Sequence, residues 1–416
     1  MSSGAAIHRV VVTGIGIISP IGIGVQSFWN NVLRGDIGVR TITRFDPSAF
    51  GSHVAAQADA FDASDFLSAR RIARTERFGQ FAVATAGLAL DDAAFQPDGH
   101  RDEVGVWIGS ALGGLAFAEA QHEAYQARGA SAVRPLLAIS IFGAASTTNI
   151  ALAFDLRGPN VSNANSCAAG TVAIGDAFRA VARGDVRAAL AGGVEAPLSP
   201  LIFGAFATIG AMSERNEEPA RASRPFDRDR DGFVMAEGAG IVMLERYDDA
   251  RSRGARMYGE VSGFGLTADA YHMTAPQPEG RDAAVAMRRA LGEAHVLPDE
   301  IELVDAHGSA SRLNDTTETL ALKRALGTAA ERVPVVGTKG QHGHALGATG
   351  AWEAALSLLA IHERRVPRTV NLDNVDPACD LDYVREERAL APRVVLSNNS
   401  GFGGINASLV LREVES

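Results

Sequence analysis

The residue types best suited to covalent chemistry are scarce in this sequence of 416 residues, which contains two cysteines and ten histidines. Cys167 lies in the stretch SNANSCAAGT, where a strand-like segment gives way to a predicted amphipathic helix. A sulfur at a helix N-terminus is close to the positive end of the helix dipole, which favours the thiolate. We therefore predict that Cys167 is a nucleophile, although a lone cysteine is more often a small buried hydrophobic residue. Cys379, which no predicted helix follows, keeps that second interpretation.

Two histidine-containing loops could supply the polar groups that a nucleophilic cysteine needs. His307 follows the apolar run IELV in the segment VDAHGSASRLND, so it is predicted at the end of a strand. Lys339, His342 and His344 lie in the glycine-rich segment GTKGQHGHALGATG, which leads into a predicted helix. Side chains on loops at strand ends commonly converge on a substrate. One cysteine and two histidines without a metal are suited to acyl transfer followed by carbanion chemistry.

The sequence predicts no metal and no cofactor. The two histidines of HGH would need further ligands at recognised spacings, and the sequence has no HxxxH, HExxH or CxxC motif. The segment GIGIISPIG lacks the helix start of a dinucleotide-binding fingerprint, and the sequence has no P-loop.

Composition and charge limit the class of protein. A net charge of -10 argues against a nucleic-acid-binding protein, which needs a basic surface to displace counterions from phosphates. The length and the hydrophobic content of 46% predict one large globular unit or two fused halves. Two cysteines favour a reducing compartment, so a cytoplasmic location is expected. The run VVVTGIGIISPIGIGV is interpreted as a buried strand followed by a glycine-rich loop, rather than a signal peptide or a membrane span.

Short β-branched runs alternate with longer Ala-rich helical patterns, which predicts an α/β fold with mixed or mainly parallel sheets. Strands are predicted at 104–110, 188–196, 240–247, 333–338 and 393–401, and helices at TVAIGDAFRAVARG and GAWEAALSLLAIHERR. An internal similarity links SCAAGTVAIGDAFRAVARGDV to GHALGATGAWEAALSLLAIHERRV. Each has a polar reactive residue, then small residues, then an amphipathic helix. This similarity indicates a duplicated fold in which each half presents a helix N-terminus.

A basic segment could bind an acidic partner. In SARRIARTERF, the residues Arg70, Arg71, Arg74 and Arg77 have spacings that put several of them on one helical face. The same pattern is typical of a solvated helix surface, and both interpretations stay open on these residues alone.

Long motifs, distributed nearly from end to end, resemble those of β-ketoacyl-acyl-carrier-protein synthases, closest to the elongating type II class of the thiolase-fold condensing enzymes. They include VVVTGIGIISPIG, LRGPNVSNANSCAAGT, RPFDRDRDGFVMAEGAG, VDAHGSASRLNDTTETLAL, GTKGQHGHALGATGAWEA and SNNSGFGGINASLVL. The resemblance implies duplicated βαβαβαββ halves that form a five-layered α-β-α-β-α core. The half at 1–255 would carry the cysteine, and the half at 256–416 the two histidines and a gating loop.

The resemblance also implies an activity. An acyl chain would pass from acyl carrier protein to the cysteine, and a malonyl unit would lose carbon dioxide and attack the acyl-enzyme. Both substrates would be carried on the 4′-phosphopantetheine arm of the carrier protein, so no cofactor is implied. The expected partners are acyl carrier protein and a second copy of the chain, with no nucleic acid and no membrane. The alternative is the active half of a heterodimer with a chain-length-factor-like partner.

Roles for individual residues follow from the matched motifs. Cys167 would accept the acyl group, His307 and His344 would bind the malonyl thioester carbonyl, and Lys339 would order the charges of the site. The backbone N–H groups of Cys167 and Phe402 would form the oxyanion hole, with Phe402 as a gate. The other implied residues are Gly401 and Gly403 in the gate, Asp269, His272, Asp315, Glu318 and Glu353 in a supporting network, Leu112, Leu137, Thr274, Ser309 and Ser311 for substrate binding, and Arg70, Arg71 and Arg74 for carrier-protein docking. Leu137 is expected to reach across a dimer interface.

Some positions depart from the pattern of this family. HGSAS replaces a threonine-rich turn, His342 stands where a small polar residue is usual, and Ser400 and Ile405 alter the glycine-rich gate motif. These departures favour a specialised synthase that builds a polyketide or polyene over one of housekeeping fatty acid elongation. A thiolase would need a second cysteine near the C-terminus, where SNNSGFGGIN has none. A chain-length factor or a decarboxylase-type homologue would lack the nucleophile, and Cys167 is present.

Overall fold

The computed structural model describes residues 7–97 and 99–415, which form fifteen strands and thirteen α-helices. The strands are β1 (Val10–Ser19), β2 (Gly22–Ile23), β3 (Val39–Thr41), β4 (Val54–Ala56), β5 (Val104–Gly109), β6 (Asn160–Asn163), β7 (Ala188–Glu195), β8 (Met235–Ala236), β9 (Gly238–Arg246), β10 (Gly259–Ala268), β11 (Leu303–Asp305), β12 (Pro334–Val336), β13 (Asp382–Tyr383), β14 (Val394–Gly401) and β15 (Ile405–Arg412). The helices are α1 (Val25–Arg34), α2 (Ala69–Ile72), α3 (Arg77–Asp92), α4 (Leu115–Arg128), α5 (Leu137–Ser140), α6 (Ala144–Phe154), α7 (Ala169–Arg183), α8 (Pro200–Thr208), α9 (Tyr247–Ser252), α10 (Arg281–Ala294), α11 (Arg312–Leu326), α12 (Lys339–His342) and α13 (Thr349–Glu363). None of the described helices is long and apolar enough to cross a membrane.

The chain contains two copies of one βαβαβαββ unit. The first copy runs β1-α3-β5-α6-β6-α7-β7-β9, and the second runs β10-α10-β11-α11-β12-α13-β14-β15. Their strand orders are equivalent, β1-β9-β7-β5-β6 and β10-β15-β14-β11-β12, with parallel and antiparallel pairs at the same places. The predicted duplication is confirmed, and the two similar sequence segments form α7 and α13. The predicted division at residue 255 falls in the connection between α9 and β10.

The two copies pack as five layers. Helices α3 and α6 cover the strands of the first copy, and α10, with α11 beside it, covers those of the second. Helices α7 and α13 lie between the copies and contact strands of both. The copies are joined where β1 pairs with β10 over two residue pairs, Val11↔Glu260 and Val12↔Gly259, which makes one 12-stranded sheet.

Strand β1 shows how a glycine-rich run can form a central strand. All of its residues are buried because β9 and β10 flank it on both sides. A Cβ atom at Gly14 would lie 2.2 Å from the Ala89 carbonyl oxygen, and one at Gly16 would lie 2.0 Å from that of Thr85. Glycine therefore allows α3 to pack closely on the strand. The predicted glycine-rich loop is shorter than expected, since the strand continues to Ser19.

The five predicted strands are found as β5, β7, β9, β12 and β14. The single helix predicted for the basic segment is wrong. Helix α2 ends at Ile72, so it carries Arg70 and Arg71, whereas Arg74 lies in the connection and Arg77 begins α3.

The side chain of Glu76 explains this break. It caps α3 by accepting hydrogen bonds from the N–H groups of Phe78 at 2.7 Å and Gly79 at 2.9 Å. An N-cap residue has an extended backbone and starts a new helix, so the four arginines cannot share one helical face.

Each copy begins its central helix with the same strained turn. Ser166 (φ 50°) and Leu346 (φ 41°) both have a left-handed backbone, and each lies three residues before α7 or α13. For a residue other than glycine this conformation costs about 1–2 kcal/mol, and such strain is concentrated at functional sites. The residue after the turn is Cys167 in the first copy and Gly347 in the second.

Candidate active site

A cavity of about 670 Å³ contains many of the residues predicted from the sequence. Cavities of roughly 300–1,000 Å³ are typical of small-molecule sites. The cavity lies where the turn before α7 meets the loop after β11, the loop before α13 and the β14–β15 connection. The predicted residues that line it are Cys167, Asp269, Thr274, His307, Ser309, Ser311, His344, Gly401 and Phe402.

Cys167 is held in a tight turn immediately before α7 and is 9% exposed. The backbone of Gly401 packs against it, because a Cβ atom on Gly401 would lie 3.0 Å from the Cys167 nitrogen. The backbone N–H groups of Phe402 and of Cys167 itself lie near the sulfur, where they act to lower the pKa of the thiol. Two backbone donors therefore meet at the atom that was predicted to be the nucleophile.

The ionisation state of Cys167 differs from the sequence-based prediction. Burial raises the pKa of the thiol to about 12, while the positive charge of Lys339 and the N–H of Phe402 act in the opposite direction. The prediction that the helix N-terminus favours the thiolate at this site is wrong, because desolvation of the sulfur is the larger effect. At neutral pH the resting sulfur is a thiol, and a neighbouring base must accept its proton.

His307 is fixed at both its backbone and its ring. The carboxylate of Glu318 accepts hydrogen bonds from the N–H groups of His307 at 2.8 Å and Gly308 at 2.9 Å. The ring Nδ1 lies 3.3 Å from Oδ1 of Asn399 and 3.5 Å from Nζ of Lys339. These two contacts favour opposite tautomers, so Nε2 can present either a lone pair or an N–H. Burial and the charge of Lys339 hold the pKa of His307 well below its usual range, which keeps the ring neutral.

His344 faces His307 across the cavity, with ring centroids 5.2 Å apart and an interplanar angle of 82°. Its Nδ1 lies 3.0 Å from the hydroxyl oxygen of Thr349, at the start of α13. When that hydroxyl donates to Nδ1, the ring proton is on Nε2 and is available to a ligand. Burial and the charge of Lys339 also hold the pKa of His344 well below its usual range.

Lys339 lies behind the cavity rather than in its wall, and its side chain is completely buried. Its ammonium donates hydrogen bonds to the carboxylate of Glu353 and to the carbonyl oxygen of His307. Burial raises the pKa of Glu353, and the Lys339 charge acts against that effect. Asp305 belongs to the same cluster, and burial together with Glu353 raises its pKa. Asp315 lies outside the cluster, where it accepts the Phe226 N–H at 2.7 Å.

The gate loop is hydrogen-bonded to the loop that precedes α10. The ring of Phe402 stacks on Phe206, with centroids 6.1 Å apart and an interplanar angle of 22°. The N–H of Gly403 donates to the carbonyl of Met273 at 2.7 Å. Asp269 adds a side-chain link, because its Oδ1 accepts a hydrogen bond from the Asn406 amide at 2.7 Å. Backbone and side-chain hydrogen bonds thus connect the gate loop with the loop that precedes α10.

The predicted residues His272, Leu112 and Leu137 also lie outside the cavity wall. His272 is exposed, and its Nδ1 accepts hydrogen bonds only from the loop to which it belongs, so it is not part of the buried network. Leu112 packs in the hydrophobic cluster that includes Cys167. Leu137 is half-buried on α5 and does not line the cavity within a single chain.

The predicted docking arginines are on the surface. Arg70 and Arg74 are exposed and Arg71 is half-buried. Among residues 7–97 and 99–415, no carboxylate forms an ion pair with any of the three. Arg77 differs, since it forms an ion pair with Glu237 at 2.7 Å.

Sequence reasoning missed Glu195, a buried carboxylate at the end of β7. It accepts hydrogen bonds from the N–H groups of Ala111 at 2.7 Å, Leu112 at 3.1 Å and Gly347 at 3.0 Å. Burial raises the pKa of Glu195 to about 7. The side chain connects the loop after β5 with the turn before α13, so it fixes one wall of the site relative to the other. Its segment, GGVEA, carries only a strand signal in the sequence.

Asn399 and Thr349, the partners of the two histidine rings, were also missed. Both lie within motifs that the sequence analysis singled out, SNNSG and GATG, but neither residue type has a chemical signature of its own. In the part of the chain that the structure describes, no group of three or more His, Cys, Asp and Glu side chains is arranged to hold a metal ion.

Comparison with known proteins shows the family. Residues 8–250 match the family model for the β-ketoacyl synthase N-terminal domain, and residues 258–373 match the C-terminal domain model. The 3-oxoacyl-[acyl-carrier-protein] synthase 2 of Synechocystis is 43% identical over 409 residues, which cover 98% of each chain. The ishigamide ketosynthase/chain length factor has a similar structure, with a TM-score of 0.91 and 36% identity over 99% of this chain and 100% of that one.

A second solved structure is a type II polyketide synthase acyl-carrier protein in complex with its ketosynthase bound to the hexaketide. It matches with a TM-score of 0.90 and 34% identity, covering 98% of this chain and 100% of that chain. Sequence, domain order and fold agree over almost the full length. The chain belongs to the β-ketoacyl synthase family.

Proposed function

We propose that this chain catalyses the decarboxylative condensation of an acyl group, held as a thioester on Cys167, with a malonyl group delivered by an acyl carrier protein. One observation carries the proposal. A cysteine close to two backbone N–H groups shares a cavity with two neutral imidazoles, those of His307 and His344. Covalent capture of an acyl group and stabilisation of an enolate need these groups.

In the first half-reaction, the Cys167 sulfur attacks the carbonyl carbon of the incoming acyl thioester. The proton of the thiol passes to a neutral imidazole, since burial keeps the thiol protonated at rest. The N–H groups of Cys167 and Phe402 stabilise the negative oxygen of the tetrahedral intermediate. That intermediate collapses with loss of the carrier thiolate, which takes up the proton. The acyl group is then on Cys167.

In the second half-reaction, malonyl thioester replaces the first carrier. Its C–C bond to the carboxylate breaks, carbon dioxide leaves, and the electron pair forms an enolate whose oxygen accepts hydrogen bonds from His307 and His344. The low pKa values of both rings suit this role, because neutral N–H donors stabilise the enolate without protonating it. The carbanion attacks the acyl carbonyl, the Cys167 thiolate leaves and takes up a proton from solvent, and the β-ketoacyl product stays on the carrier.

The proposed macromolecular partner is an acyl carrier protein. A carrier protein bound to its ketosynthase is present in one of the similar solved structures. Arg70, Arg71 and Arg74 give this acidic chain a local group of surface cations without carboxylate partners among the described residues. Such a patch would steer and orient an acidic partner.

We also propose a two-subunit assembly. Strand β6 is the edge strand at one end of the large sheet, and its first two residues, Asn160 and Val161, are exposed. Exposed apolar side chains lie on the strand, on α5 and α6, and in the connection between these helices, namely Val161, Ile139, Leu152, Ile141 and Phe142. An open strand edge with an apolar border is suited to pairing with a second chain. A second copy would bring its Leu137 helix to this surface, and a chain-length-factor-like partner would dock in the same way.

The pathway stays a proposal, and we favour a specialised polyketide or polyene route because of the altered HGSAS and gate motifs. The test is intact-mass analysis after incubation with a panel of acyl carrier proteins that bear different chains. We expect an acyl adduct that is lost in Cys167→Ala. Each of the single variants His307→Ala and His344→Ala leaves one imidazole to accept the thiol proton, so both should keep the adduct, but they should form no β-ketoacyl product. An adduct that survives in Cys167→Ala would contradict the proposal, and the panel would rank fatty acyl against polyketide chains.

A further inference from the structure

Arg312 is the only lysine or arginine, among the residues that the structure describes, that lines the active-site cavity. The two histidines in the wall are neutral, and three carboxylates, those of Glu214, Asp231 and Asp269, line the same space. An anionic ligand that enters this cavity would be repelled by the carboxylates. Arg312 is the single permanent positive charge that could receive it.

The loop that carries Arg312 leads from the reacting groups to the solvent. His307 is 4% exposed and Ser309 is 6% exposed. Ser311 is half-buried, and Arg312 is exposed. All four residues line the same cavity. The loop therefore runs outward along one wall, and Arg312 lies at its outer end.

A buried arginine fixes the backbone from which Arg312 projects. Arg230 is 4% exposed, and its Nε and Nη2 donate hydrogen bonds to the carbonyl oxygens of Ser311 and Arg312, each at 3.0 Å. Asp376 holds the same guanidinium at 2.6 Å. No carboxylate of the described residues is within ion-pair distance of the Arg312 side chain itself. The Arg312 guanidinium, which has no ion-pair partner among the described residues, thus projects from a fixed backbone at the mouth of the cavity.

We infer that Arg312 binds the phosphodiester of the 4′-phosphopantetheine arm, and this rests on the proposed function. The thioester end of the arm must reach Cys167, so the amides of the arm pass Ser309 and Ser311 and the phosphate stays at the outer end. A guanidinium matches phosphate oxygens in charge and in geometry. Arg312 is then a substrate-binding residue that recognises the arm itself, in contrast to Arg70, which would contact only the carrier protein.

The test uses protection of Cys167 from iodoacetamide, which does not require condensation activity. S-methyl derivatives of pantetheine and 4′-phosphopantetheine, named below by the parent compounds, are compared as protecting ligands, because a thioether does not consume iodoacetamide and the two compounds differ only in the phosphate. In the wild-type chain we expect phosphopantetheine to protect at a roughly tenfold lower concentration, the size of one hydrogen bond to a charged group. Arg312→Gln should abolish this preference, Arg312→Lys should keep part of it, and Arg70→Gln should leave it unchanged.

Equal protection by both compounds in the wild type, no protection by either, or a preference that persists in Arg312→Gln would overturn the inference. Kinetics with the carrier-bound substrate distinguish recognition of the phosphate from contacts with the surface of the carrier protein. With malonyl carrier protein, KM should rise in both Arg312→Gln and Arg70→Gln, whereas only Arg312→Gln should lose the preference for free phosphopantetheine over pantetheine. A chain that shows the phosphate preference but forms no β-ketoacyl product would refute the proposed function and leave the phosphate site intact.

Discussion

The ammonium of Lys339 is paired with the carboxylate of Glu353, and neither side chain is exposed to solvent. The same ammonium holds the carbonyl oxygen of His307 and lies 3.5 Å from its ring Nδ1. Its charge lowers the pKa values of His307, His344 and Cys167. One buried cation therefore positions a catalytic loop and tunes the three proposed reacting groups.

Removing only one member of this pair should be costly. Glu353→Gln leaves the Lys339 ammonium buried without its paired carboxylate, and we expect the free energy of unfolding to fall by about 3–5 kcal/mol. The double variant Lys339→Met/Glu353→Leu replaces the pair with apolar side chains and should recover most of that loss. Urea denaturation of the variants and the wild type measures both effects. The single variants Lys339→Met and Glu353→Leu are measured in the same way. A double variant that loses as much stability as these two lose together would show that the two charges do not compensate each other.

The reactivity of Cys167 should depend steeply on pH. Because the pKa of the thiol is raised to about 12, the thiolate fraction is small at neutral pH and grows about tenfold for each pH unit. We expect the rate of iodoacetamide inactivation to rise in this way from pH 7 to pH 10. Lys339→Met/Glu353→Leu removes a charge that lowers this pKa, so it should react more slowly at every pH.

Cys167→Ser is the control for this experiment, because Cys379 is fully buried and should not be labelled. A rate that reaches a plateau below pH 9 would mean that the thiol is already ionised in that range. The helix dipole would then outweigh the burial of the sulfur, as the sequence alone suggested.

The sequence was sufficient for the parts of the site that depend on local patterns. His307 at the end of β11 and Cys167 before α7 follow from short apolar runs and small-residue turns that can be recognised within about ten residues. The duplication was also visible, since α7 and α13 repeat the same local arrangement of small residues and an amphipathic helix.

Contacts between distant segments could not be predicted from the sequence. The hydrogen bond from His307 to Asn399 joins residues 92 positions apart, and the one from Gly347 to Glu195 spans 152 positions. The first depends on the pairing of β11 with β14 within the second copy, and the second depends on how the second copy packs against the first. The pKa of Cys167 was misjudged for the same reason, because residues distant in sequence, among them Phe203, Leu346 and Gly401, pack around it.

The Thr349 hydroxyl should set the tautomer of His344. Thr349→Val removes the hydroxyl but keeps the shape of the side chain, so Nδ1 loses its only hydrogen-bond partner among the described residues. We expect the rate of malonyl decarboxylation to fall, by less than the roughly 10²–10³-fold expected for His344→Ala. Acylation of Cys167 should be nearly unchanged, because the groups proposed to bind its oxyanion are backbone N–H groups.

Carbon dioxide release from malonyl carrier protein and the intact mass of the acyl-enzyme give the two rates separately. Thr349→Ser restores a hydroxyl and should recover most of the activity. If Thr349→Val slows both steps equally, the residue supports the structure of the site rather than the state of one ring.

The gate loop and the loop that precedes α10 should both respond to a change in the backbone of the gate. Gly403 has a φ of 85°, open space at its Cβ position and an N–H that donates to the Met273 carbonyl at 2.7 Å. In Gly403→Ala the left-handed backbone costs about 1–2 kcal/mol, which favours loop conformations without that hydrogen bond. We expect slower acyl transfer to Cys167 and faster hydrogen exchange in both loops.

Gly254→Ala is the matched control, because Gly254 also has a positive φ, at 67°, and open space, but it lies in the connection after α9, outside the cavity wall. Both variants should lose similar stability in thermal unfolding, since the strain is of the same kind. Only Gly403→Ala should change acyl transfer, because only there does the strain act on a hydrogen bond between the gate and its neighbouring loop. Equal loss of acyl transfer in the two variants would show that general destabilisation, rather than coupling of the loops, limits the reaction.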